Sequence, residues 1–313
     1  MCGMQPLRMS LYPQDTKKKE KTMGKKKLWI GIFVIFAAVF FYQTMQHTDE
    51  KIELKSLHSP YSVLLNRNTG KIVAGHKEEH KIYPASLTKI MTVIVALENI
   101  KDEKKTMTMP TDFFARLYEE NASMAGFLPG EEVRIKDLFY GVMLPSGAEC
   151  CLALANHVSG SEEQYVKLMN QKAKELKMKN THFCNTTGLH QKDHFSTVKD
   201  LAVLLQYALK NEEFREIFTT SRYSTRPSEK HPEGFTFYST MSNRMENRSV
   251  QNGEILGGKT GYTQKAGLCL ASLAQISSTE YILITAGAKG SHQTEPFHLI
   301  DACRVYNQLA SAQ

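Results

Sequence analysis

The chain has 313 residues, of which 42% are hydrophobic, so it is long enough to bury a full core and to form one large domain or two interleaved lobes. Most of its net charge of +7 lies in residues 1–27, where Arg8 and seven lysines outnumber Asp15 and Glu20 and give a charge of +6. The rest of the chain therefore has a net charge of +1. A nearly neutral body lacks the basic surface of nucleic-acid-binding proteins, and we therefore exclude nucleic acid as a partner.

A charge-free apolar segment, residues 28–45, follows the basic N-terminus. Lysines beside such a segment stay on the cytoplasmic side of a membrane. The segment reaches the roughly 17 residues that a span requires, and it predicts an uncleaved single-pass anchor in the cell membrane with the rest of the chain extracytoplasmic. Secretion after cleavage of a signal peptide is the alternative, but no small-x-small cleavage site follows Tyr42.

The residues after this segment are predicted to form a linker and then a folded domain. Residues 46–59 are polar and predict the linker, and the domain is predicted to span 60–313. It begins with two short apolar runs, at 61–65 and 71–74, around an Asn/Gly turn that is typical of a β-hairpin. Segment 84–97 begins with residues that favour a helix start and continues with apolar residues at helical spacing, so it predicts a buried helix.

Helices dominate the predicted middle of the domain and strands its end. Apolar periodicity predicts helices at 135–144, 148–158, 162–176 and 198–209, strands at 254–262, 266–276 and 281–288, and a closing amphipathic helix at 295–309. The first four helices belong to a predicted helical lobe at about 110–220. This order of elements indicates an α+β fold with an antiparallel sheet.

Ser86 and Lys89 form a Ser-x-x-Lys pair at the start of the first predicted helix. Residues three apart on a helix are neighbours, so the Ser86 hydroxyl can meet the Lys89 amine. A serine hydroxyl needs an adjacent base to become a good nucleophile, and lysine can be that base if burial and nearby positive charge lower its pKa. The same spacing recurs at Ser196 and Lys199, where Ser196 or Thr197 is predicted to cap a helix, so the pattern alone is not specific.

Two further motifs strengthen the prediction of a serine enzyme. Ser146 precedes an apolar helix, where its hydroxyl could complete a proton path or cap the helix. Lys259, Thr260 and Gly261 lie on a predicted edge strand. Lys259 would bring a second positive charge near Lys89, and Gly261 would let a ligand backbone approach closely. A turn followed by a solvated lysine explains Lys-Thr-Gly alone, but not the three motifs in this order.

The six cysteines predict neither a disulfide framework nor a metal site. Cys2 is predicted to be cytoplasmic, Cys150 and Cys151 are adjacent in the sequence, and no Cys/His cluster has ligand spacing. We interpret the cysteines as small core residues, leave open a disulfide among the exported ones, and predict no metal and no cofactor.

The three motifs resemble the Ser-x-x-Lys, Ser-x-Asn and Lys-Thr-Gly set of the serine penicillin-recognising enzymes. The resemblance is most specific to the low-molecular-mass D-alanyl-D-alanine carboxypeptidases and covers the chain from about Tyr61 to the C-terminus. The stretches that carry it are Tyr83–Thr92, Met169–Ala173, Thr181–Leu189, His194–Thr197 and Lys259–Gly267. It implies a β-lactamase/transpeptidase-like α+β fold, with an antiparallel sheet flanked by helices and an all-helical lobe inserted between the Ser-x-x-Lys helix and the Lys-Thr-Gly strand.

The resemblance also implies an activity: removal of the terminal D-Ala from peptidoglycan stem pentapeptides through an acyl-serine intermediate, with β-lactams as covalent inhibitors. Ser86 would attack the carbonyl between the two terminal D-alanines, and Lys89 would take its proton. Ser146 would pass a proton towards the leaving amine. Lys259 and Thr260 would engage the terminal carboxylate of the substrate.

Three further residues follow from the resemblance. Arg244 resembles an additional carboxylate anchor of the family, with a surface arginine as the ordinary alternative. The backbone N–H groups of Ser86 and Tyr262 would form the oxyanion hole. The family usually has Asn at the position of Ala148, and alanine can neither donate to a substrate nor hold Lys89. The resemblance therefore implies the reaction class but not the rate or the specificity.

A serine β-lactamase is the rival enzyme class. The class A enzymes need a glutamate-bearing loop, usually Glu-x-x-x-Asn, to activate the deacylating water. We find no such loop between Ser146 and Lys259.

A membrane-tethered protein that binds peptidoglycan stems or β-lactams without turnover is the alternative of a different class, and Ala148 is the feature compatible with it. The residues after Gly261 are enough to finish a sheet and a helix. They are too few for the β-rich domain and C-terminal amphipathic anchor of many relatives, so the N-terminal segment is expected to replace that anchor.

Overall fold

The computed structural model describes residues 52–245 and 247–311. The predicted basic N-terminus at 1–27 and the predicted anchor at 28–45 lie outside the described residues. In the part of the chain that is described, no helix combines the length and the apolar character needed to cross a bilayer.

An antiparallel sheet of six strands, in the order β2-β1-β10-β9-β8-β7, is the centre of the domain. The strands of the described residues are β1 (Tyr61–Asn66), β2 (Ile72–His76), β3 (Thr106–Thr108), β4 (Glu132–Arg134), β5 (Arg222–Ser224), β6 (Thr236–Tyr238), β7 (Ser249–Val250), β8 (Gly253–Thr263), β9 (Gly267–Ile276) and β10 (Thr279–Ala288). The pairs β3–β4 and β5–β6 form separate two-stranded sheets. The predicted hairpin and the three predicted strands at the end of the chain are confirmed as β1–β2 and β8–β10.

Helices cover the sheet. Those of the described residues are α1 (Thr88–Asn99), α2 (Phe114–Glu119), α3 (Ile135–Met143), α4 (Ala148–Ser159), α5 (Glu162–Glu175), α6 (Val198–Ala208), α7 (Glu212–Thr219) and α8 (Phe297–Ser311). Thr197 caps α6 by accepting from the backbone N–H of Asp200, which confirms the predicted cap. The sequence did not predict α2 and α7, because helices of 6 and 8 residues are too short to show a clear periodicity.

The helices lie on the two faces of the sheet, and each face has its own hydrophobic core. Successive side chains of a strand point to opposite faces of the sheet, so Val63 and Leu65 of β1 join the core that contains α1–α7, whereas Leu64 joins the core beneath α8. Helix α1 lies within the larger core and is buried from Thr88 to Ala96. A helix that is apolar on all sides is stable only in such an interior position.

Within the described residues, the packed domain includes residues 52–59, which precede its predicted start at residue 60. Ile52, Leu54 and Leu57 are buried in the core beneath α8. The N–H of Glu53 donates to Gln308 Oε1 of α8 at 2.8 Å. The described end of the predicted linker is therefore part of the fold, because its three apolar side chains fill the space between α8 and the sheet.

All five cysteines of the described residues are free. Cys150, Cys151 and Cys269 are buried core residues, as predicted, whereas Cys184 and Cys303 are partly exposed. No group of three or more His, Cys, Asp or Glu side chains within the described residues is arranged to hold a metal ion.

Candidate active site

Ser86 lies in a single 3₁₀ turn, Ala85–Leu87, that leads into α1. The α-helix begins at Thr88, two residues later than Ser86. Ala85 has φ +47°, a left-handed conformation that residues other than glycine rarely adopt. Such strain costs on the order of 1–3 kcal/mol and tends to occur at functional sites, where the surrounding structure enforces it.

A loop between α5 and α6 holds this strained turn in place. Gly188, in the loop, has φ +84°, and a Cβ added to it would lie 1.9 Å from the carbonyl oxygen of Ala85. Only glycine allows this approach. Asn185 Oδ1 fixes the loop by accepting from the N–H groups of Thr187 and Gly188 at 3.2 and 2.7 Å. The turn that carries Ser86 therefore packs directly on the backbone of a distant loop.

Lys89 contacts both Ser86 and this loop. Its Nζ lies 3.2 Å from Ser86 Oγ and donates to the carbonyl oxygen of Thr187 at 2.6 Å. Lys89 is only 3% exposed, and burial lowers the pKa of its amine below the ordinary value of a lysine. An N–H donated to Thr187 orients the neutral amine so that its lone pair can accept the proton of Ser86. The geometry thus pairs a serine hydroxyl with a lysine that can act as a base.

Ser146 and Lys259 form a second serine–lysine pair. Lys259 Nζ donates to Ser146 Oγ at 3.0 Å and to the carbonyl oxygen of Thr260 at 2.9 Å. Burial first, and repulsion from Lys89 second, lower the pKa of Lys259 well below its ordinary value. Gly147, not Ser146, is the N-cap residue of α4, and Ser146 has φ +71°. The structure therefore excludes both ordinary alternatives, a helix cap for Ser146 and a solvated side chain for Lys259.

Two cavities meet at Ser86. The strand-side cavity, which contains Ser146, Thr260 and Arg244, has a volume of about 260 Å³. The second cavity, here named the lobe-side groove, is lined by Lys89, Arg116, Glu162, Asn185 and Gly188 among others and has a volume of about 800 Å³. Ser86 is thus open to a ligand that extends from one cavity into the other.

Strand β8 forms the wall beside Ser86. Strand β7 pairs only with Gly253 and Glu254, so the outer edge of β8 at Lys259–Gly261 has no strand partner among the described residues. A Cβ on Gly261 would lie 3.1 Å from the backbone nitrogen of Ser86. The absence of a side chain at this position therefore keeps the space between β8 and the Ser86 turn open.

Arg244 and Tyr262, also predicted from the sequence, both line the strand-side cavity. The guanidinium of Arg244 donates to the carbonyl oxygen of Thr294 at 2.5 Å, and the side chain is only partly exposed. It is therefore fixed at the rim of the cavity, unlike an ordinary surface arginine. Tyr262 packs edge-on against the ring of His292, with 4.9 Å between the ring centres.

The segment that resembles Ser-x-Asn differs from that motif in its third residue and adds a buried carboxylate. Ala148 is buried beside the lobe-side groove and has no polar side-chain atom. The next residue, Glu149, is also buried, and one of its oxygens accepts from the N–H groups of Ala125 and Gly126 at 2.6 and 2.9 Å. Glu149 thereby holds the segment that follows Ser123, a residue that lines both cavities.

Sequence reasoning did not identify several residues of the cleft. They are Ser123, Thr240, His292 and His298, together with the carbonyl group of Thr187. A backbone carbonyl has no signature in a sequence, and the four side chains lie in segments without a motif. Only the fold places them beside Ser86.

Comparison of the sequence with known families and proteins gives consistent matches. The peptidase S11 family, described as D-alanyl-D-alanine carboxypeptidase, matches residues 45–290. The chain is 36% identical over 269 residues to D-alanyl-D-alanine carboxypeptidase DacF of Bacillus subtilis, covering 83% of this chain and 65% of that protein. It is 34% identical over 259 residues to DacC of Escherichia coli, covering 80% of this chain and 61% of that protein. The chain thus spans less than two thirds of the length of these curated relatives.

Solved structures show the same fold. The Streptomyces K15 DD-transpeptidase superposes with a TM-score of 0.74 at 24% identity, covering 81% of this chain and 97% of that one. Penicillin-binding protein 5 of Haemophilus influenzae superposes with a TM-score of 0.70 at 24% identity, covering 80% of this chain and 70% of that one. These matches confirm the predicted α+β fold with an antiparallel sheet. The family match, which covers most of the described residues, shows that the chain belongs to the peptidase S11 family of D-alanyl-D-alanine carboxypeptidases.

Proposed function

We propose that this chain is a serine D-alanyl-D-alanine carboxypeptidase that removes the terminal D-Ala from peptidoglycan stem pentapeptides. The observation that carries the proposal is the buried Lys89 amine, 3.2 Å from Ser86 Oγ at the junction of the two cavities. The curated relatives from B. subtilis and E. coli are named for the same activity, which supports the reaction class.

Acylation begins with Ser86. Its Oγ attacks the carbonyl carbon between the two terminal D-alanines while Lys89 Nζ accepts the hydroxyl proton. The proton taken up by Lys89 is passed to the leaving nitrogen through the hydroxyl of Ser146, which lines the same cavity as Ser86 and accepts a hydrogen bond from Lys259 Nζ at 3.0 Å, so Lys89 is neutral again. The C–N bond then breaks, D-alanine leaves as the amine, and the stem peptide remains as an ester on Ser86. Water hydrolyses this ester and returns the serine.

The strand-side cavity is proposed to hold the C-terminal D-alanine. The hydroxyl of Thr260 and the guanidinium of Arg244 can donate hydrogen bonds to its carboxylate. Thr260 Oγ1 lies 2.7 Å from Thr240 Oγ1. The buried Lys259 contacts the cavity lining through its hydrogen bond to Ser146. The backbone N–H groups of Ser86 and Tyr262 are proposed to stabilise the oxyanion. Loss of one such donor typically costs about 100-fold or more in rate.

The carboxylates of the lobe-side groove favour a carboxypeptidase over a class A β-lactamase. Glu162 Oε1 accepts from the N–H and hydroxyl of Thr186, both at 2.9 Å, and its Oε2 pairs with Arg116. Glu163 pairs with Lys167. Among the described residues, no carboxylate is hydrogen-bonded to Ser86, and Glu162 and Glu163 are engaged in structural contacts. The third glutamate that lines the groove, Glu120, is exposed to solvent.

The experiment that tests the proposal is release of D-alanine from a pentapeptide ending in D-Ala-D-Ala. We expect catalytic release from that peptide and none from a matched peptide ending in D-Ala-L-Ala. Mass mapping after incubation with penicillin is expected to place one penicilloyl group on the peptide that contains Ser86. Stoichiometric labelling without D-alanine release would instead identify a binding protein, and fast turnover of nitrocefin would identify a β-lactamase.

We also propose that residues 28–45 anchor the protein in the cell membrane, with the catalytic domain outside the cytoplasm. The charge-free apolar segment after the lysines supports this orientation. The full chain is expected in the membrane fraction, and a chain starting at residue 46, directed to export by an unrelated cleaved signal, in the soluble exported fraction. A full chain found in the soluble exported fraction, with a new N-terminus after residue 42, would show that the segment is a cleaved signal peptide.

A further inference from the structure

His298 is a buried histidine with an unpaired ring nitrogen at the active-site cleft. It lies in the first turn of α8, is only 2% exposed, and lines the strand-side cavity. Neither ring nitrogen has a hydrogen-bond partner among the described residues. Nδ1 is enclosed, whereas Nε2 is not fully buried and is the ring nitrogen that a ligand in the cavity can reach. A polar group without a partner in such a place calls for an explanation.

The other strongly buried histidine near the site has partners for both ring nitrogens. His194 Nε2 lies 2.7 Å from Thr88 Oγ1, and its Nδ1 accepts from the N–H of Cys184 at 3.1 Å. Burial is the main reason that the pKa values of His194 and His298 are both lowered to about 4. The two rings thus have the same burial and the same neutral state at pH 7. They differ in that the ring nitrogens of His298 have no hydrogen-bond partner among the described residues, and in that His298 lines the strand-side cavity.

The surroundings of His298 are suited to an anion. The cavity is lined by the guanidinium of Arg244, the amide of Asn243, the hydroxyl of Thr260 and the ring of His292, all of which can donate hydrogen bonds. None of the described residues that line it carries a carboxylate. The positive charge of Arg244 also contributes to the lowered pKa of His298, which places the ring within the field of that guanidinium.

We propose that His298 is a specificity residue whose ring N–H donates a hydrogen bond to the carboxylate of the ligand, beside Arg244 and Thr260. The inference rests on the proposed function and adds to it a recognition residue from α8. A neutral imidazole donates this bond without the cost of burying another cation. The cavity of about 260 Å³ opens at Ser86, so the carboxylate that it accepts lies next to the bond that is cleaved.

The first experiment measures carboxylate binding without chemistry. The Ser86→Ala protein, with isotope-labelled histidines, is titrated with N-acetyl-D-alanine and separately with its methyl ester, and the ring resonances are followed by NMR. We expect the His298 ring signal to shift with the acid and not with the ester, while the His194 signal stays in place. A His298 signal that does not move, or that moves equally with both compounds, overturns the proposal.

The second experiment measures the preference for a carboxylate during acylation. Second-order acylation rates with penicillin G and with its methyl ester are compared for the wild type, His298→Phe, His298→Asn and the control His58→Phe. His58 stacks on Phe297, with 4.2 Å between ring centres, and therefore reports on disturbance of α8 without lining the cavity. Because hydrogen bonds to charged groups are stronger than those between neutral groups, we expect His298→Phe to lower the acid-to-ester rate ratio about 10- to 100-fold. His298→Asn, which keeps a neutral side chain with an N–H donor, and His58→Phe are expected to retain most of it.

An unchanged ratio in a folded His298→Phe protein overturns the inference. If that variant does not fold, the His298→Asn ratio and the NMR titration of the Ser86→Ala protein decide the question. Failure of the proposed function has a different signature, because the wild type would then release no D-alanine and acquire no acyl group on Ser86, whereas the titration still reports whether His298 binds a carboxylate.

Discussion

Replacing Lys89 with arginine is expected to lower the rate of Ser86 acylation by about 10⁴-fold, the upper end of the usual contribution of a general base. The guanidinium stays protonated in proteins, so it cannot accept the hydroxyl proton of Ser86. The measurement is the rate at which the penicilloyl adduct appears by intact-protein mass spectrometry. Undiminished labelling of the variant would show that Lys89 is not the base.

A second variant separates loss of the base from loss of the fold. Arginine is larger than lysine, and Lys89 is only 3% exposed, so Lys89→Arg also strains its surroundings. Lys89→Met has a similar volume and removes a buried amine, at the cost of the hydrogen bond to the carbonyl oxygen of Thr187. We expect Lys89→Met to unfold cooperatively on heating, as the wild type does, and to be as inactive as Lys89→Arg.

The pH dependence of acylation tests independently whether Lys89 is the base. Only the neutral amine accepts a proton, and burial lowers the pKa of Lys89, so the neutral fraction at any pH below the ordinary lysine pKa is larger than for a solvated lysine. The acylation rate of the wild type is therefore expected to rise with pH and to level off below the ordinary lysine pKa. The residual acylation rate of Lys89→Met is expected not to show this rise with pH.

The parts of the site that follow from local rules could be predicted from the sequence. Ser86 and Lys89 are three residues apart, so helical geometry alone places them together, and the apolar run after them predicts their burial. The second pair, Ser146 and Lys259, lies on elements distant in the chain. That the two residues share one site with Ser86 was expected only because the order of the motifs resembles a known family, and the hydrogen bond between them was not predicted.

The remaining parts of the site depend on long-range packing. The approach of Gly188 to Ala85 and the carbonyl group of Thr187 come from a loop about one hundred residues downstream, and no spacing rule connects that loop to Ser86. His298 belongs to a helix that was predicted as amphipathic, and its place at the cavity depends on how α8 lies on the sheet. The same applies to Ile52, whose burial depends on the surface that α8 presents.

The Gly188 contact can be tested directly, because Gly188→Ala is expected to displace the turn that carries Ser86. The added Cβ would lie 1.9 Å from the oxygen and 2.4 Å from the carbon of the Ala85 carbonyl, and 3.0 Å from the nitrogen of Ser86. All three are backbone atoms, so no flexible side chain can move aside. A displacement of about 1 Å at a reacting group can cost about 100-fold in rate. We therefore expect acylation by penicillin to slow by about 100-fold or more.

The matched control is Gly160→Ala at the C-terminal end of α4. Gly160 also has a positive φ, +79°, but a Cβ added there meets nothing within 4 Å. Its substitution carries only the left-handed strain of about 1–2 kcal/mol and is expected to leave acylation unchanged. Gly188→Ala carries the same strain plus about 1–3 kcal/mol for the overlap, so urea unfolding should rank it as the less stable variant. Wild-type acylation in a folded Gly188→Ala protein would mean that the loop does not position Ser86, and equal stability of the two variants would mean that the contact with Ala85 relaxes at no cost.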